Sequence, residues 1–176
     1  MIMANEIVKY DNQLNQVCFQ GSGITDNLLK IFFSIVAKAR DNGLEEITIS
    51  FDEMRKLTAD NSHYTDAEYK ELIKRLMHVL INLKVSYDAG PNFGEHNIFT
   101  GYDSSLEENK IVVRTTPIAQ RLFNNLEYNF TRFELKEFVE LHGIYTKQLD
   151  RLLKQYRHVG NYTLTIKDLR KYMDVP

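Results

Sequence analysis

One short stretch constrains the fold of this chain more than any other, because it occurs twice. Residues 47–59 begin with the alternation of a strand and then place Ser50 three residues before Glu53, which is the spacing of a capping box. Residues 163–174 align with residues 48–59 without a gap, and Thr165 aligns with Ser50. A long helical pattern that ends in glycine precedes each copy. This order predicts duplication of one module; the alternative is a chance likeness between two ordinary capped helices.

The elements after the first copy predict a winged-helix domain. A second capping box begins at Thr65, and its helix is predicted to run to about Leu83. Residues 96–102 and 110–115 are predicted to be the strands of a β-hairpin. Two helices after a strand, followed by a hairpin, are the order of a helix-turn-helix with its wing. The alternative is an α+β domain with no role in nucleic-acid binding.

The predicted fold class is therefore α+β, with one winged-helix domain followed by the first half of a second. Residues 1–126 are assigned to the first domain and residues 127–176 to the start of the second. In the second domain a capping box at Thr131 is predicted to open a helix. A further helix is predicted from Tyr145 to about His158, with its apolar side chains buried, namely Leu149, Leu152, Leu153 and Tyr156. Because nothing after the second copy corresponds to a recognition helix or a wing, the sequence is expected to be a truncated form of a tandem winged-helix protein.

The charge of the chain is small in total but unevenly distributed. The 176 residues carry a formal net charge of −2, whereas residues 144–176 contain seven lysines and arginines against three aspartates. A basic C-terminal part on an acidic body indicates a localised anionic partner.

The single cysteine, Cys18, is typical of a reducing compartment, and no stretch has the apolar character of a signal peptide or a membrane span. The protein is therefore expected in the cytoplasm, away from membranes.

No cluster of side chains indicates catalytic or metal chemistry. The five histidines are scattered, and none has a ligand partner four residues further on. Cys18 has no local base that would activate its thiol. The sequence also lacks the His-x-His pair that a rolling-circle nickase needs to hold its metal. We therefore expect no cofactor, no metal ion and no enzymatic activity.

The combination of aromatic and basic side chains in residues 129–141 and 145–157 resembles the replication-initiator proteins of theta-replicating, iteron-containing plasmids, the RepA/RepB/RepE type. Residues 43–57 and 165–176 resemble further segments of the same proteins, so that the resemblance covers most of the chain from about residue 27. It implies two tandem winged-helix domains and no enzymatic activity. The first domain would dimerise and help to hold DNA, and the second would insert a helix into the major groove of the iterons.

The candidate DNA contacts are lysines and arginines at helical spacing, which would neutralise phosphates in a salt-dependent manner. They are Lys70, Lys74 and Arg75 in the first domain, and Lys147, Arg151, Lys154, Arg157, Lys167, Arg170 and Lys171 in the second. Dimerisation is expected through the apolar hairpin, whose edges invite pairing, at Ile98, Phe99, Ile111 and Val113. The expected partners are double-stranded DNA with origin iterons, a second copy of the chain and host replication proteins.

Two other functions fit the same sequence. A winged-helix transcription regulator would share the fold and bind a promoter operator, and a dimerisation module would have no DNA affinity of its own. For the lysines of the first domain, a solvated helix face is the simpler interpretation of the pattern.

Overall fold

The computed structural model describes residues 6–16, 25–40, 45–58 and 64–173, together with Gly23 and Gly43. The elements in chain order are β1 (Ile7–Asp11), a 3₁₀ turn (Asn12–Gln16), α1 (Asp26–Ala39), β2 (Glu46–Ile49), α2 (Phe51–Thr58), α3 (Asp66–Ile81), β3 (Lys84–Ala89), β4 (Asn92–Asn97), β5 (Phe99–Ser105), β6 (Lys110–Thr115), α4 (Pro117–Phe123), β7 (Phe130–Glu134), α5 (Leu135–Glu140), α6 (Ile144–Tyr156) and α7 (Ile166–Met173).

A three-stranded antiparallel sheet holds the first copy of the repeated stretch. Its spatial order is β2-β6-β5, and Ile49 of β2 lies opposite Ile111 of β6. Apolar side chains alternate along β2 and β6 and face the core, where α1 and α3 contact the sheet. Helices α2 and α3 follow β2 as a helix-turn-helix, and β5 and β6 form the hairpin of the wing. The predicted winged-helix fold is therefore confirmed.

A second hairpin lies between the helix-turn-helix and the wing. Strands β3 and β4 pair only with each other among the described strands, and Gly90 and Pro91 form the two-residue turn that joins them. Gly90 has a φ of 72°, a left-handed conformation that glycine adopts without the steric cost of a side chain. The predicted strand 96–102 is consequently divided at Ile98, where the chain passes from this ribbon to the wing.

The predicted dimerisation residues do not form a surface. Ile98, Phe99, Ile111 and Val113 are all buried in the core. The ring of Phe99 packs edge-to-face against Phe32 of α1, with 6.0 Å between the ring centroids. The sequence pattern identified an apolar face of the hairpin correctly, but the helices of the same chain cover that face, and this assignment is wrong.

The N-terminal strand closes the fold against a later segment. Strand β1 pairs antiparallel with β7, and Val8 lies opposite Phe133. Thr131 is therefore a buried strand residue and not a helix cap, and helix α5 begins without a side-chain cap, so the third predicted capping box is wrong. Phe133 and Phe138 stack with their centroids 5.0 Å apart in the same core as Val8. Because this core continues past residue 126, the predicted domain boundary does not fall at a break in it; we refer to β1 through α5 as the first unit.

The second copy of the repeated stretch keeps the helix and its cap but not the strand. Helix α7 begins after Thr165, whose hydroxyl oxygen accepts a hydrogen bond from the Asp168 amide at 3.0 Å. Ser50 caps α2 in the same way, at 3.1 Å from the Glu53 amide. No described strand pairs with residues 161–165, whereas β2 is held by β6. A strand needs such a partner to satisfy its backbone groups, and this accounts for the difference.

Candidate nucleic-acid interface

Helix α3 occupies the recognition position of the helix-turn-helix, and its start is fixed by its own side chains. The Thr65 amide donates to Glu68 Oε2 at 2.8 Å, while the Glu68 amide donates to Thr65 Oγ1 at 3.3 Å, which is a complete capping box. Tyr69 anchors the helix to its neighbour, because its hydroxyl donates to the Phe51 carbonyl at 3.2 Å. The buried face of α3 consists of Tyr69, Ile73, Met77 and Leu80.

The opposite face of α3 carries the predicted basic side chains. Lys70, Lys74 and His78 follow one another at intervals of four residues, and all three are exposed, as is Arg75. Lys74 Nζ lies 2.6 Å from Glu71 Oε1, and both side chains are more than half exposed. Because an exposed ion pair adds little stability, a phosphate can replace the glutamate as the partner of Lys74 at small cost. The structure therefore places the predicted residues of the first domain together on one accessible helix face.

The wing beside this helix has no net positive charge, because residues 99–115 contain two basic and three acidic side chains. Arg114 lies 2.6 Å from Asp103 and 2.8 Å from Glu46, and these hydrogen bonds raise the pKa of its guanidinium. Lys110 lies 2.5 Å from Glu108. A shallow cavity of about 240 Å³ separates α3 from the wing, with Lys70 on one wall and the wing residues 104–107 on the other. Within this helix-turn-helix, α3 thus presents a row of exposed basic side chains to an anionic ligand, and α2 adds the exposed Arg55 and Lys56.

The predicted basic face of α6 is buried. The side chain of Lys147 is 0% exposed, and its ammonium lies 2.7 Å from Asp26 Oδ1 and donates to the Leu141 carbonyl. Arg151 is 1% exposed; its Nε donates to the Tyr10 hydroxyl at 3.0 Å and its Nη2 to the Leu14 carbonyl at 2.9 Å. Neither side chain can reach a phosphate from these positions. The assignment of Lys147 and Arg151 to DNA binding is therefore wrong.

Further hydrogen bonds extend this polar contact beneath α6. The Tyr10 hydroxyl donates to Asn15 Oδ1 at 2.8 Å. Asn15 Nδ2 in turn donates at 2.8 Å to Gln155 Oε1 of α6 and to the hydroxyl oxygen of Thr131. Residues 147, 151 and 155 are spaced by four and lie on one face of the helix, so that the contacts of this face are mainly polar, beside the buried Leu152 and Ile144, which packs against the core.

Burial and charge act in opposite directions on the ion pair of α6. Burial alone would raise the pKa of the Asp26 carboxyl, but the hydrogen bonds and charges of Lys147 and Lys30 outweigh it and hold that pKa below its ordinary value. Burial lowers the pKa of the Lys147 ammonium, and Asp26 opposes this only in part. The contact therefore favours the carboxylate form of Asp26, whereas the buried position of Lys147 carries a desolvation cost.

The remaining predicted basic residues are accessible to different degrees. Lys154 is partly buried and lies 2.8 Å from Glu137 Oε2. Arg157 follows the end of α6 and is exposed, and Lys167 and Arg170 are exposed on α7. The side chain of Lys171 lies outside the described part of the chain. The structure therefore leaves a small exposed basic group around the start of α7.

The apolar face of α6, which the sequence places inside, is turned outward. Leu149 and Leu153 are exposed, and Leu153 is 62% exposed. The groove beside them has a volume of about 450 Å³ and ends at the rings of Tyr156 and Tyr162, which stack with 3.6 Å between their centroids. Leu169 of α7 lines the same groove. Helix α6 thus lies between a polar contact on one side and a partly covered apolar groove on the other.

The described residues contain neither a cluster of metal ligands nor a membrane-spanning helix. No group of three or more histidine, cysteine, aspartate or glutamate side chains among them is placed to hold a metal ion. None of their helices is long and apolar enough to cross a membrane.

The fold and the exposed α3 face define a winged-helix protein, and comparison with known proteins gives the family. The family model described as "Initiator Replication protein, WH1" matches residues 7–154, and the chain belongs to this family of replication initiators. The chain is 27% identical over 173 residues to the "Probable replication protein rep" of Bifidobacterium longum (strain NCC 2705), a match that covers 98% of this chain and 58% of that protein. The chain therefore spans somewhat more than half the length of that relative.

A solved structure supports the fold. The chain is similar to the protein in "Crystal structure of Pi initiator protein in complex with iteron DNA", with a TM-score of 0.72 and 14% sequence identity. The similarity covers 97% of this chain and 73% of that chain. It extends beyond the first unit and therefore includes the elements in which the sequence-based interpretation and the structure differ most.

Proposed function

We propose that this protein initiates plasmid replication by binding the repeated sequences, or iterons, of its origin as double-stranded DNA, and that it acts by binding and not by catalysis. The observation that carries the proposal is the exposed row of Lys70, Lys74 and His78 on the second helix of a helix-turn-helix. Such a helix fits the major groove, where its side chains can reach base edges while neighbouring lysines and arginines neutralise phosphates. Family membership supports the same function.

A second contact is proposed at the exposed basic group around the start of α7. Arg157, which follows α6, and Lys167 and Arg170 of α7 carry positive charge at exposed positions outside α3. Charges of this kind attract the phosphate backbone without reading sequence. We further propose that α7 begins a second winged helix, because its capped start corresponds to that of α2 in the first unit. This proposal replaces the boundary at residue 126 by one that follows α6.

Self-association is proposed at the β3–β4 ribbon instead of the wing. Phe93 lies next to the turn of the ribbon and is 77% exposed, which is unusual for a large aromatic side chain. Both outer edges of the ribbon lack a neighbouring strand among the described residues, and such edges pair readily with another chain. A homodimer through this ribbon would leave the face of α3 available to DNA.

Binding alone does not open a duplex or copy it. We therefore propose that host replication proteins join the initiator at the origin, and that the complex works in the cytoplasm, where a plasmid resides. The protein would bind DNA with its own side chains, without a metal ion or a cofactor.

A mobility-shift experiment at several salt concentrations tests the proposal. The protein is expected to bind a duplex with the repeats of its own origin more tightly than a random duplex, with an affinity that falls steeply as salt rises. The double variant Lys70→Ala/Lys74→Ala should weaken binding and reduce the slope of log affinity against log salt by about 1.8, that is about 0.9 for each phosphate that is no longer neutralised.

Lys136→Ala is the control, because Lys136 is also an exposed lysine on a helix but lies on α5, outside both proposed DNA contacts and outside the β3–β4 ribbon. It should leave the slope unchanged. Selective binding to a palindromic operator over the repeats would indicate a transcription regulator. A dimer in sedimentation without DNA binding at low salt would indicate a dimerisation module and would overturn the proposal.

A further inference from the structure

Helix α6 is joined to the first unit by three side chains that each contact a different group. Lys147 binds Asp26 of α1, Arg151 binds Tyr10 of β1 and the carbonyl of Leu14 in the 3₁₀ turn, and Gln155 binds Asn15 of the same turn. The contacts lie at intervals of four residues along more than two turns of the helix. We call Lys147, Arg151 and Gln155 the polar clamp.

The polar clamp differs physically from an apolar helix contact. An apolar contact is stabilised by buried area and close packing and has no donor–acceptor directions to satisfy. A guanidinium or an ammonium that is buried must keep its own acceptors, since an unpaired buried charge costs several kcal/mol. A buried ionic contact therefore adds little net stability but restricts a helix to the one position that satisfies all partners.

The position of α6 also determines where the second basic surface lies. Helix α7 contacts α6, and the stacked rings of Tyr156 and Tyr162 join the end of α6 to the segment before α7. Lys167 and Arg170 are therefore carried by α6, whereas Lys70 and Lys74 belong to the first unit. A rotation of α6 about its contact with the first unit would change the distance between the two surfaces.

We propose that Lys147, Arg151 and Gln155 are positioning residues that hold α6 in one orientation and so fix the spacing between the basic surface of α3 and that of α7. The inference rests on the proposed function for its biological meaning, because two fixed surfaces can engage one DNA duplex together without first being ordered. The orientation itself can be measured without DNA.

The test is the distance between a spin label on α3 and one on α6, measured by double electron–electron resonance in the full chain. Both sites, Ala67→Cys and Leu153→Cys, are exposed, and Cys18→Ser removes the native thiol. The parent protein should give one narrow distance distribution. The variant Lys147→Met/Arg151→Met/Gln155→Leu replaces the polar clamp by apolar side chains of similar volume, and it should give a distribution at least twice as wide.

Lys154→Met is the matched control, since Lys154 lies on the same helix and pairs with a glutamate at the surface; it should leave the distribution narrow. If the triple variant does not fold, the single variant Lys147→Met is measured in its place, and its distance distribution should also be wider than that of the parent. In this variant Asp26 keeps Lys30 at 3.2 Å as its partner. A distribution as narrow as that of the parent, in whichever of these variants folds, would overturn the proposal.

DNA binding then separates this inference from the proposed function. With the polar clamp intact, Lys167→Ala/Arg170→Ala should weaken binding, and in the clamp variant the same change should have a smaller effect. Equal effects in both backgrounds would contradict the positioning role. A complete absence of DNA binding, together with a narrow distance in the parent and a wide one in the clamp variant, would overturn the proposed function and leave the role of the clamp in orienting α6 intact.

Discussion

Helices α3 and α6 carry the same sequence pattern, basic side chains every four residues, but the structure turns the two patterns in opposite directions. Lys70 and Lys74 face solvent, whereas Lys147 and Arg151 are buried. The surfaces beneath the helices explain the difference. Apolar side chains of the core lie under α3, while a carboxylate, a phenol and a backbone carbonyl lie under α6. A periodic pattern therefore defines a face of a helix, and the chemistry of its neighbour decides where that face points.

The same comparison explains the exposed leucines of α6. A helix in contact with an apolar core on one side buries its apolar stripe there, as α3 does with Ile73 and Met77. Helix α6 meets polar groups on that side, and its apolar stripe turns to the groove that it shares with α7. The assumption that apolar side chains face the first unit is thus valid for α3 and wrong for α6.

The strongest expected effect distinguishes two adjacent leucines of α6. Leu152 is 7% exposed and Leu153 is 62% exposed, although the sequence places both inside. Leu152→Asp should lower the free energy of unfolding by about 4 kcal/mol, because the carboxylate would be buried without a partner. Leu153→Asp should change it by less than about 1 kcal/mol. Urea unfolding measures both, and equal losses would contradict the orientation of α6.

The next effect compares one basic residue from each helix. Arg151→Ala removes the hydrogen bonds of a buried guanidinium and should lower the free energy of unfolding by about 2–3 kcal/mol. Lys74→Ala removes only an exposed pair and should change it by less than about 0.5 kcal/mol. The measurement is again urea unfolding at one pH and salt concentration. A larger loss for Lys74→Ala than for Arg151→Ala would reverse the comparison.

The smallest effect compares the caps of α3 and α7. Thr65→Ala breaks the capping box of a helix packed in the core and should cost about 1 kcal/mol of global stability. Thr165→Ala breaks a similar cap, but α7 has mostly exposed side chains, so this change should increase amide hydrogen exchange in α7 without shifting the global transition. Equal shifts of the transition midpoint in both variants would show that α7 folds cooperatively with the first unit.

Local signals predicted much of the first unit. The capping box at Thr65 and the alternation in residues 47–49 require only nearby residues for their effect, and the structure confirms both. The predicted hairpin lies close to β5 and β6, because a polar turn precedes the regular apolar alternation of β6. These elements are determined by contacts between residues near in sequence, which a pattern can represent.

Contacts between distant residues account for the errors. Thr131 has the spacing of a helix cap, but β1 offers it a partner strand more than a hundred residues away. Lys147 has the spacing of a surface ladder, but Asp26 meets it in the core. No local pattern contains either partner, and an isolated acidic residue at the start of α1 gave no sign that it would bind a buried lysine.

Acetylation of the native protein with acetic anhydride distinguishes α3 from α6 as the helix that presents lysines to DNA. The modified lysines are located by mass spectrometry, with and without iteron DNA. Lys70 and Lys74 are expected to react readily in the protein alone and to be protected by DNA. Lys147 should remain unmodified in both samples, and the exposed Lys136 of α5 should react in both. Rapid acetylation of Lys147 in the folded protein, together with its protection by DNA and none at Lys70 or Lys74, would contradict the account.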